Sequence, residues 1–537
     1  MSIKPIASVA LPRTGIRVGR QAQIILLLAI CVLPMALYLP FLSEPFERDE
    51  GVYATLAQGL LHGHLPYRDF FDHKPPLIYG WYSLSFLTFG ENVQAPRIMA
   101  ALVLSVTNFG IFQTARLLFS ERIGMIAAGI FGASVGLAAL QINANTEVFM
   151  LLPLVASLLA FVQGIRDGRA RWFFLAGIAG GIAVMTKQVA VWNVMVLLLL
   201  ALCLPRASAE PMLRRAGQAL LLASGACLAV AVVALPFIIA GAGQDFLFAN
   251  LQYNWLYALQ VSAAGKLQGL AVGSLFFVIV AGPLVVGAVT GVALLVQRRN
   301  WGAAILLAAW VGACLLGVVS TGRFFAHYWV ELLPALALPT GAAIGFGPSQ
   351  IRRPRLQTAI AWLAGLAIIF SLLMNAQAYL SPSAAGKHDA KYPETQAQWD
   401  NASQELGRYL HEHTLPGQTI YVFGREAQIY FYSDREPAAR FLYSQPFTLD
   451  SQAMSDTIRT LREVKPTYIV NSAQPPLYSG WEAGQPQDFV RLLAEDYEYV
   501  GEVAFAQVYR LKTDLRDDLF RQQFMGNVSG LAGIPTR

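Results

Sequence analysis

The chain has 537 residues, 55% hydrophobic and 13% charged, with a mean hydropathy of +0.48. This excludes a single soluble domain of that length and fits a polytopic membrane protein. The formal charge of +6 hides a split: residues 381–537 hold 15 Lys/Arg against 20 Asp/Glu, and residues 1–380 hold 24 against 13. The basic excess lies in the apolar part, where it reads as topology signal and not as a nucleic-acid surface.

Lys4, Arg13, Arg17 and Arg20 precede the first apolar run, and no small-residue cleavage site follows it. This predicts an uncleaved first span with a cytoplasmic N-terminus. A bilayer core takes about twenty apolar residues in helical form. Candidate spans are 22–42, 97–116, 123–141, 148–165, 172–187, 188–204, 217–240, 270–296, 302–320, 328–347 and 357–380. A twelfth candidate, 76–90 (PLIYGWYSLSFLTFG), is short and aromatic.

Charge decides how that segment is read. If 76–90 does not cross, 17 of the 24 Lys/Arg of the membrane part fall on the cytoplasmic side, among them Arg116, Arg166, Arg214, Arg298 and Arg352. A full crossing would turn those loops outward, against the positive-inside rule. So 76–90 is expected to be re-entrant, or to lie along the outer interface, unless a further crossing restores parity. The remaining basic residues, Arg48, Arg68, Lys74, Arg97, Lys187, Lys266 and Arg323, lie on the outer side with ten of the thirteen carboxylates. That clustering points to an extracytoplasmic site. Cys31, Cys203, Cys227 and Cys314 all lie in apolar runs and read as small buried hydrophobes.

After Leu380, SPSAAGKHDAKYP reads as a polar linker. QTIYVFG, PTYIVNS and YEYVGEVAFAQVYRL read as strands, and SDTIRTLREV and FVRLLAED as amphipathic helices. The alternation predicts a small α/β domain with a mainly parallel sheet, placed outside by eleven spans. The expected organisation is a transmembrane domain, 1–380, whose first outer loop (about 43–75) carries the site, and a C-terminal domain, 381–537.

Several residues could do chemistry. Asp49-Glu50 either caps a helix opening at EGVYATLAQGLL or supplies a base. In DFFDHKPPL, Pro75-Pro76 fixes an extended entry into the next helix. Lys74 then lies at headgroup depth, where it snorkels to lipid phosphate or binds one phosphate in particular. His62, His64 and His73 form only a weak zinc pattern. QINANTEVF offers Asn143, Asn145 and Glu147, read as helix capping by Asn145 or Thr146, or as polar groups facing the first loop. Lys187 stands at a helix junction in MTKQ. TGRFFAHYWVELLPALAL spaces Arg323, His327 and Glu331 four apart, which on one helix would put them on one face. Ionisable residues there hold helices together or serve a site.

RDEGVYATLAQGLLHGHLPYRDFFDHKPPLIYGW and TGRFFAHYWVELLPALAL together resemble the GT-C glycosyltransferases. More narrowly, they resemble the protein-mannosyltransferase-like group, which includes the aminoarabinose transferase of lipid A and the Rgt-type galacturonosyltransferases. The Asp-Glu pair, the Lys-Pro-Pro before the second apolar helix and the late HYxxxLLPALAL-like span carry the resemblance. It covers the membrane half end to end, and YVFGREAQIYFYSDREPAARF looks like the α/β extension of many bacterial members.

The resemblance implies a mainly α polytopic bundle of about eleven to thirteen membrane helices with a small α/β domain. The implied activity is inverting transfer of a sugar from a polyprenyl-phosphate donor to a hydroxyl on lipopolysaccharide, lipid A, another envelope glycan or a protein. The implied place is the outer face of a bacterial inner membrane, with the C-terminal domain in the periplasm. Asp49, with Glu50, would act as base or position the acceptor. Lys74 would hold the departing phosphate, shared with Arg323 or His327. Tyr53, Asp72, His73, Glu147, Lys187 and Glu331 would complete the substrate-binding set.

Two departures matter. Val52 stands two positions after the pair, where aminoarabinose transferases often carry a basic residue, which points away from that sugar. The Asp-x-Asp metal pattern of other branches is absent, so no cofactor is called for, and a divalent cation is admissible without being indicated. The alternative reading is a transporter or flippase of lipid-linked saccharides. That would place polar residues at midplane in repeated halves, whereas this chain shows no repeat and gathers its charges at one face. A membrane-anchored receptor does not account for eleven spans.

Overall fold

A computed structural model describes residues 19–205, 210–346, 373–472 and 486–513. It divides into two compact units, one bounded by Met1–Glu44 and His73–Tyr392, the other by Pro45–Asp72 and Pro393–Arg537.

The first unit is helical. Its described elements include α1 (Arg20–Tyr38), α3 (Leu77–Phe89), α4 (Gln94–Leu118), α5 (Glu121–Ser134), α6 (Thr146–Asp167), α7 (Ala170–Thr186), α8 (Val191–Cys203) and α9 (Met212–Ile239). Then come α10 (Gly243–Leu247), a π-helical turn (Phe248–Gln252), α11 (Tyr253–Leu259), α12 (Ala263–Gln297), α13 (Trp301–Ser320), a 3-10 helix (Ala326–Glu331), α14 (Leu332–Phe346) and the short α15 (Ala384–Asp389).

Among the described residues seven helices are long and apolar enough to cross a membrane: Arg20–Phe41, Gln94–Leu118, Thr146–Asp167, Met212–Ile239, Ala263–Gln297, Trp301–Ser320 and Ala326–Phe346. Ala170–Thr186 and Gln188–Cys203 are shorter apolar helices. The expected span 123–141 is cut short. Helix α5 ends at Ser134, and a 3-10 turn closes on Gln141, which takes a left-handed φ of 52°. The segment 76–90 forms α3, whose 13 residues reach about 20 Å. Most of 357–380 lies outside the described residues.

Small residues let the helices approach closely, as membrane helices without a strong hydrophobic drive require. On α7, a Cβ at Gly177 would stand 2.0 Å from the Leu222 carbonyl oxygen; on α9, one at Gly225 would stand 2.2 Å from that of Phe174.

The polar stretch after Leu380 is not a loose linker. Ser383 caps α15, and the segment delivers Lys391 to Glu44, Nζ to Oε2 2.9 Å, with both side chains buried. Lys391 also donates to Asn143, Asn143 donates to the Tyr392 hydroxyl, and His388 lies 3.9 Å from Glu44. Burial pushes the Glu44 carboxyl up, but Lys391, His388 and Arg97 outweigh it and bring it down to about 2. Glu44 therefore contributes its full stability above about 4.5 and loses it as pH falls toward 2. Lys391→Met is expected to cost about 3–5 kcal/mol at neutral pH, because it strands a buried carboxylate. The thermal midpoint of the detergent-solubilised protein at pH 7 measures this, and the gap between variant and wild type should narrow at pH 3.

The second unit combines α2 (Arg48–Leu61), α16 (Glu394–His413), α17 (Gln428–Ser433), α18 (Ser451–Val464) and α19 (Gln487–Asp496) with a four-stranded sheet. Strands β1 (Ile420–Phe423), β2 (Tyr468–Asn471), β3 (Tyr497–Val503) and β4 (Ala506–Leu511) run in the order β1-β2-β4-β3. Only β1 and β2 are parallel; β2–β4 and β3–β4 are antiparallel. The expected mainly parallel sheet is thus mixed. The cause is local: YEYVGEVAFAQVYRL is two strands, folded at Ala504 and Phe505, whose φ of 48° and 69° make a tight hairpin. Neither residue carries the Gly or Asn signature of such a turn.

Candidate functional site

In the first unit, α7 stops at Lys187, whose backbone turns extended (φ −151°, ψ 125°) before a 3-10 turn, Gln188–Ala190. The break directs the lysine inward. Its ammonium pairs with Glu147 and lies 4.1 Å from the Tyr328 ring centroid. His327 Nε2 stands 3.7 Å from the same Glu147 oxygen, and Thr146 donates to the other at 2.9 Å. Glu331 accepts from Asn193 at 3.1 Å, and Cys314 donates to that amide's oxygen. Glu147, Lys187 and Glu331 are all buried. Charges in so dry a place persist only when paired.

The shared helix face expected for Arg323, His327 and Glu331 does not form. Residues 326–331 wind as a 3-10 helix, and Arg323 precedes it in a loop after Gly322, whose φ is +67°. His327 turns to Glu147 and Glu331 to Asn193. Arg323 stacks its guanidinium 3.8 Å from the Tyr257 ring and donates to Gln260 at 3.1 Å. Tyr257 is also the ring on which His73 packs, at 5.4 Å, with Tyr253 at 5.3 Å. Arg323 and His73 therefore share one aromatic wall. Lys74, partly buried, follows His73, and its carbonyl accepts from Tyr79 at 3.1 Å.

Asn145 occupies the N-cap position of α6 but makes no capping bond. Among the described residues, neither atom of its buried amide has a hydrogen-bond partner. Such an amide costs about 1–3 kcal/mol if nothing else satisfies it.

In the second unit, α2 carries Asp49, Glu50 and Tyr53. The cap is Glu47, not Asp49. Glu47 accepts from the Glu50 N–H and Glu50 from the Glu47 N–H, both at 3.2 Å, a reciprocal box that uses both carboxyls. Burial, with Asp49, Glu50 and Asp400 nearby, pushes the Glu47 carboxyl well above the usual range. Asp49 stays partly exposed and accepts from the Tyr53 hydroxyl at 3.5 Å. Asp72 is buried and accepts from Tyr443 at 2.9 Å. His62 and His64 both approach Glu436, at 3.4 and 3.3 Å.

Helix α2 is fastened to α17. Thr55 donates to the carbonyls of Gly51 and Ala427, the Phe46 N–H donates to the Tyr432 hydroxyl at 2.7 Å, and Gln428 donates to the buried Asp400. At Gly51 a Cβ would fall 2.4 Å from Gln428 Cβ and 2.6 Å from its nitrogen. Backbone cannot yield as a side-chain tip can. Gly51→Ala is expected to lower stability by about 1–3 kcal/mol through overpacking, read as a lower thermal midpoint.

Sequence reasoning missed Glu47, because Glu is an uncommon cap, and Asn193 and Asn254, which carry no motif; Tyr328 and Gln188 lie inside the HYxxxLLPALAL-like span and MTKQ but were not singled out.

A family model described as dolichyl-phosphate-mannose-protein mannosyltransferase matches residues 73–239. Over 203 residues the chain is 29% identical to the undecaprenyl phosphate-alpha-4-amino-4-deoxy-L-arabinose arabinosyl transferase of Pseudomonas aeruginosa (strain UCBPP-PA14). That match spans 36% of each protein, so it covers about a third of the curated relative. The crystal structure of ArnT from Cupriavidus metallidurans in the apo state superposes at a TM-score of 0.57 with 16% identity, covering 91% of this chain and 98% of that one. The same enzyme bound to undecaprenyl phosphate superposes at 0.54 with 16% identity, covering 93% and 99%. The likeness covers 91–93% of this chain and shows the fold.

Proposed function

We propose that this chain, which has the GT-C fold of membrane glycosyltransferases, moves a sugar from a polyprenyl-phosphate donor to a hydroxyl on an envelope acceptor. The observation that carries the reading is the buried Lys187–Glu147 pair with His327 beside it, in the same unit as the His73–Arg323 aromatic wall. A bundle that only spans the membrane has no need of so many ionisable groups held out of water.

In this reading Lys74 holds the phosphate that leaves, with Arg323 or His327 sharing its charge. Lys187 and Glu147 fix the floor of the site, and Asn145 offers its amide to a sugar hydroxyl. The acceptor oxygen attacks C1 of the sugar as the C1–phosphate oxygen bond breaks. The acceptor proton passes to Asp49, and polyprenyl phosphate leaves with the bonding electrons. Attack opposite the phosphate inverts the anomeric centre. The charge distribution supports a cytoplasmic N-terminus, with the chemistry and the C-terminal domain on the periplasmic side of a bacterial inner membrane. The partial match to an aminoarabinose transferase and Val52 pull in opposite directions on the sugar, and acceptor classes stay as broad as lipopolysaccharide, another glycan or protein.

The test uses purified protein in lipid with a panel of polyprenyl-phosphate sugars and envelope acceptors. Release of polyprenyl phosphate together with a glycosylated product is the expected result. No release with any donor and acceptor would sink the transferase reading and favour transport of lipid-linked saccharides.

A further inference from the structure

We propose that Gln188 and Asn254 are positioning residues that set Lys74 by clamping the peptide group before it, an inference that rests on the phosphate-holding role given to Lys74 above. The carbonyl oxygen of His73 accepts from Gln188 Nε2 at 3.0 Å and from Asn254 Nδ2 at 2.8 Å. A carbonyl has two lone pairs, and here two side-chain amides address them. The next carbonyl, of Lys74, accepts from the Tyr79 hydroxyl. Both carbonyls flanking the start of Lys74's side chain are thereby tied to side chains.

The sequence explains why carbonyls do this job. Pro75 and Pro76 follow Lys74 and offer no N–H, so the downstream backbone cannot be anchored through donors. The clamp comes from two separate places. Gln188 opens the 3-10 turn directly after Lys187, so one turn serves both the buried ion pair and Lys74. Asn254 lies in α11, just after the π-helical turn. Its amide also donates to the Ala249 carbonyl at 2.8 Å, which ties it across that turn. Its neighbours Tyr253 and Tyr257 pack on the His73 ring. π-helical turns recur where a helix must be re-aimed at a functional group.

Consequently, the ammonium of Lys74 is placed by the 3-10 turn, the α11 segment and α3 together. Loss of one clamp should weaken phosphate binding without touching the phosphate, since misplacement by about 1 Å is enough to cost up to 10²-fold.

The experiment measures binding of undecaprenyl phosphate, used as the probe, to the full chain in lipid nanodiscs. The variants are Gln188→Met and Asn254→Leu, each alone and combined with Lys74→Ala, with thermal midpoints recorded alongside. Each clamp variant should raise the Kd about tenfold, and neither should weaken binding further once Lys74 is alanine. Kinetically, donor KM should rise while acceptor KM stays. Losses that add in full to that of Lys74→Ala would show a general structural role and overturn the proposal, as would unchanged binding in the clamp variants. If Lys74→Ala itself binds the probe as wild type does, the phosphate assignment falls and the clamp falls with it.

Discussion

Asp49→Asn is expected to abolish sugar transfer, lowering kcat by about 10²–10⁴-fold, while the protein stays folded and binds its donor as before. The exchange is nearly isosteric, and the capping box that starts α2 belongs to Glu47 and Glu50. Asn at this place still accepts from the Tyr53 hydroxyl, the contact the carboxylate makes now, so little packing changes. What disappears is the capacity to take a proton. Glu50→Gln supplies the contrast. Glu50 is fully buried, and its carboxylate accepts from the Glu47 N–H, so it acts as part of the helix start. Its loss should appear mainly as a lower thermal midpoint, of the order of 0.5–2 kcal/mol for a cap, with a smaller fall in kcat. Single-turnover transfer, donor binding and thermal unfolding of both variants separate the two roles. If Asp49→Asn transfers at a normal rate and Glu50→Gln does not, the base is Glu50 and the proposed assignment is reversed.

The membrane half was legible because its signals are long. Runs of about twenty apolar residues flanked by Arg announce spans, and α1, α4, α6, α9, α12 and α13 lie where those runs do. Short-range conformation was less visible. The four-residue spacing of Arg323, His327 and Glu331 suggested one α-helical face, but a 3-10 winding changes which side chains align, since its period is three. In the tail, the hairpin at Ala504-Phe505 has no Gly or Asn to mark it, so two antiparallel strands read as one and the sheet as parallel. QINANTEVF reads as capping of α6 by Asn145 or Thr146 or as polar groups facing the first loop; position alone cannot reveal that the Asn145 amide makes no capping bond. The Lys391–Glu44 pair joins residues 347 apart, and the grouping of Pro45–Asp72 with the C-terminal residues likewise depends on contacts distant in sequence. Side-chain chemistry gave the candidate groups, and tertiary structure decided which of them meet.

Lys187→Met is expected to destabilise the first unit by about 3–5 kcal/mol, the usual consequence of stranding a buried charge. Glu147 pairs with Lys187 directly, and the Tyr328 ring lies 4.1 Å from its ammonium. Removing the ammonium leaves Glu147 in a dry bundle without its ion-pair partner, with His327 Nε2 3.7 Å away. The double variant Lys187→Met/Glu147→Gln removes both members of the pair, and replacing a whole buried pair is often neutral. It should therefore recover most of the lost stability. It should not recover transfer, because the Met and Gln side chains cannot hold the floor of the site with charge. The measurement is the thermal midpoint and the donor turnover of the two variants, side by side in the same lipid. Recovery of both stability and turnover in the double variant would show that the pair only joins α6 to the end of α7. Recovery of stability alone separates what the fold requires of Lys187 from what the reaction requires of it.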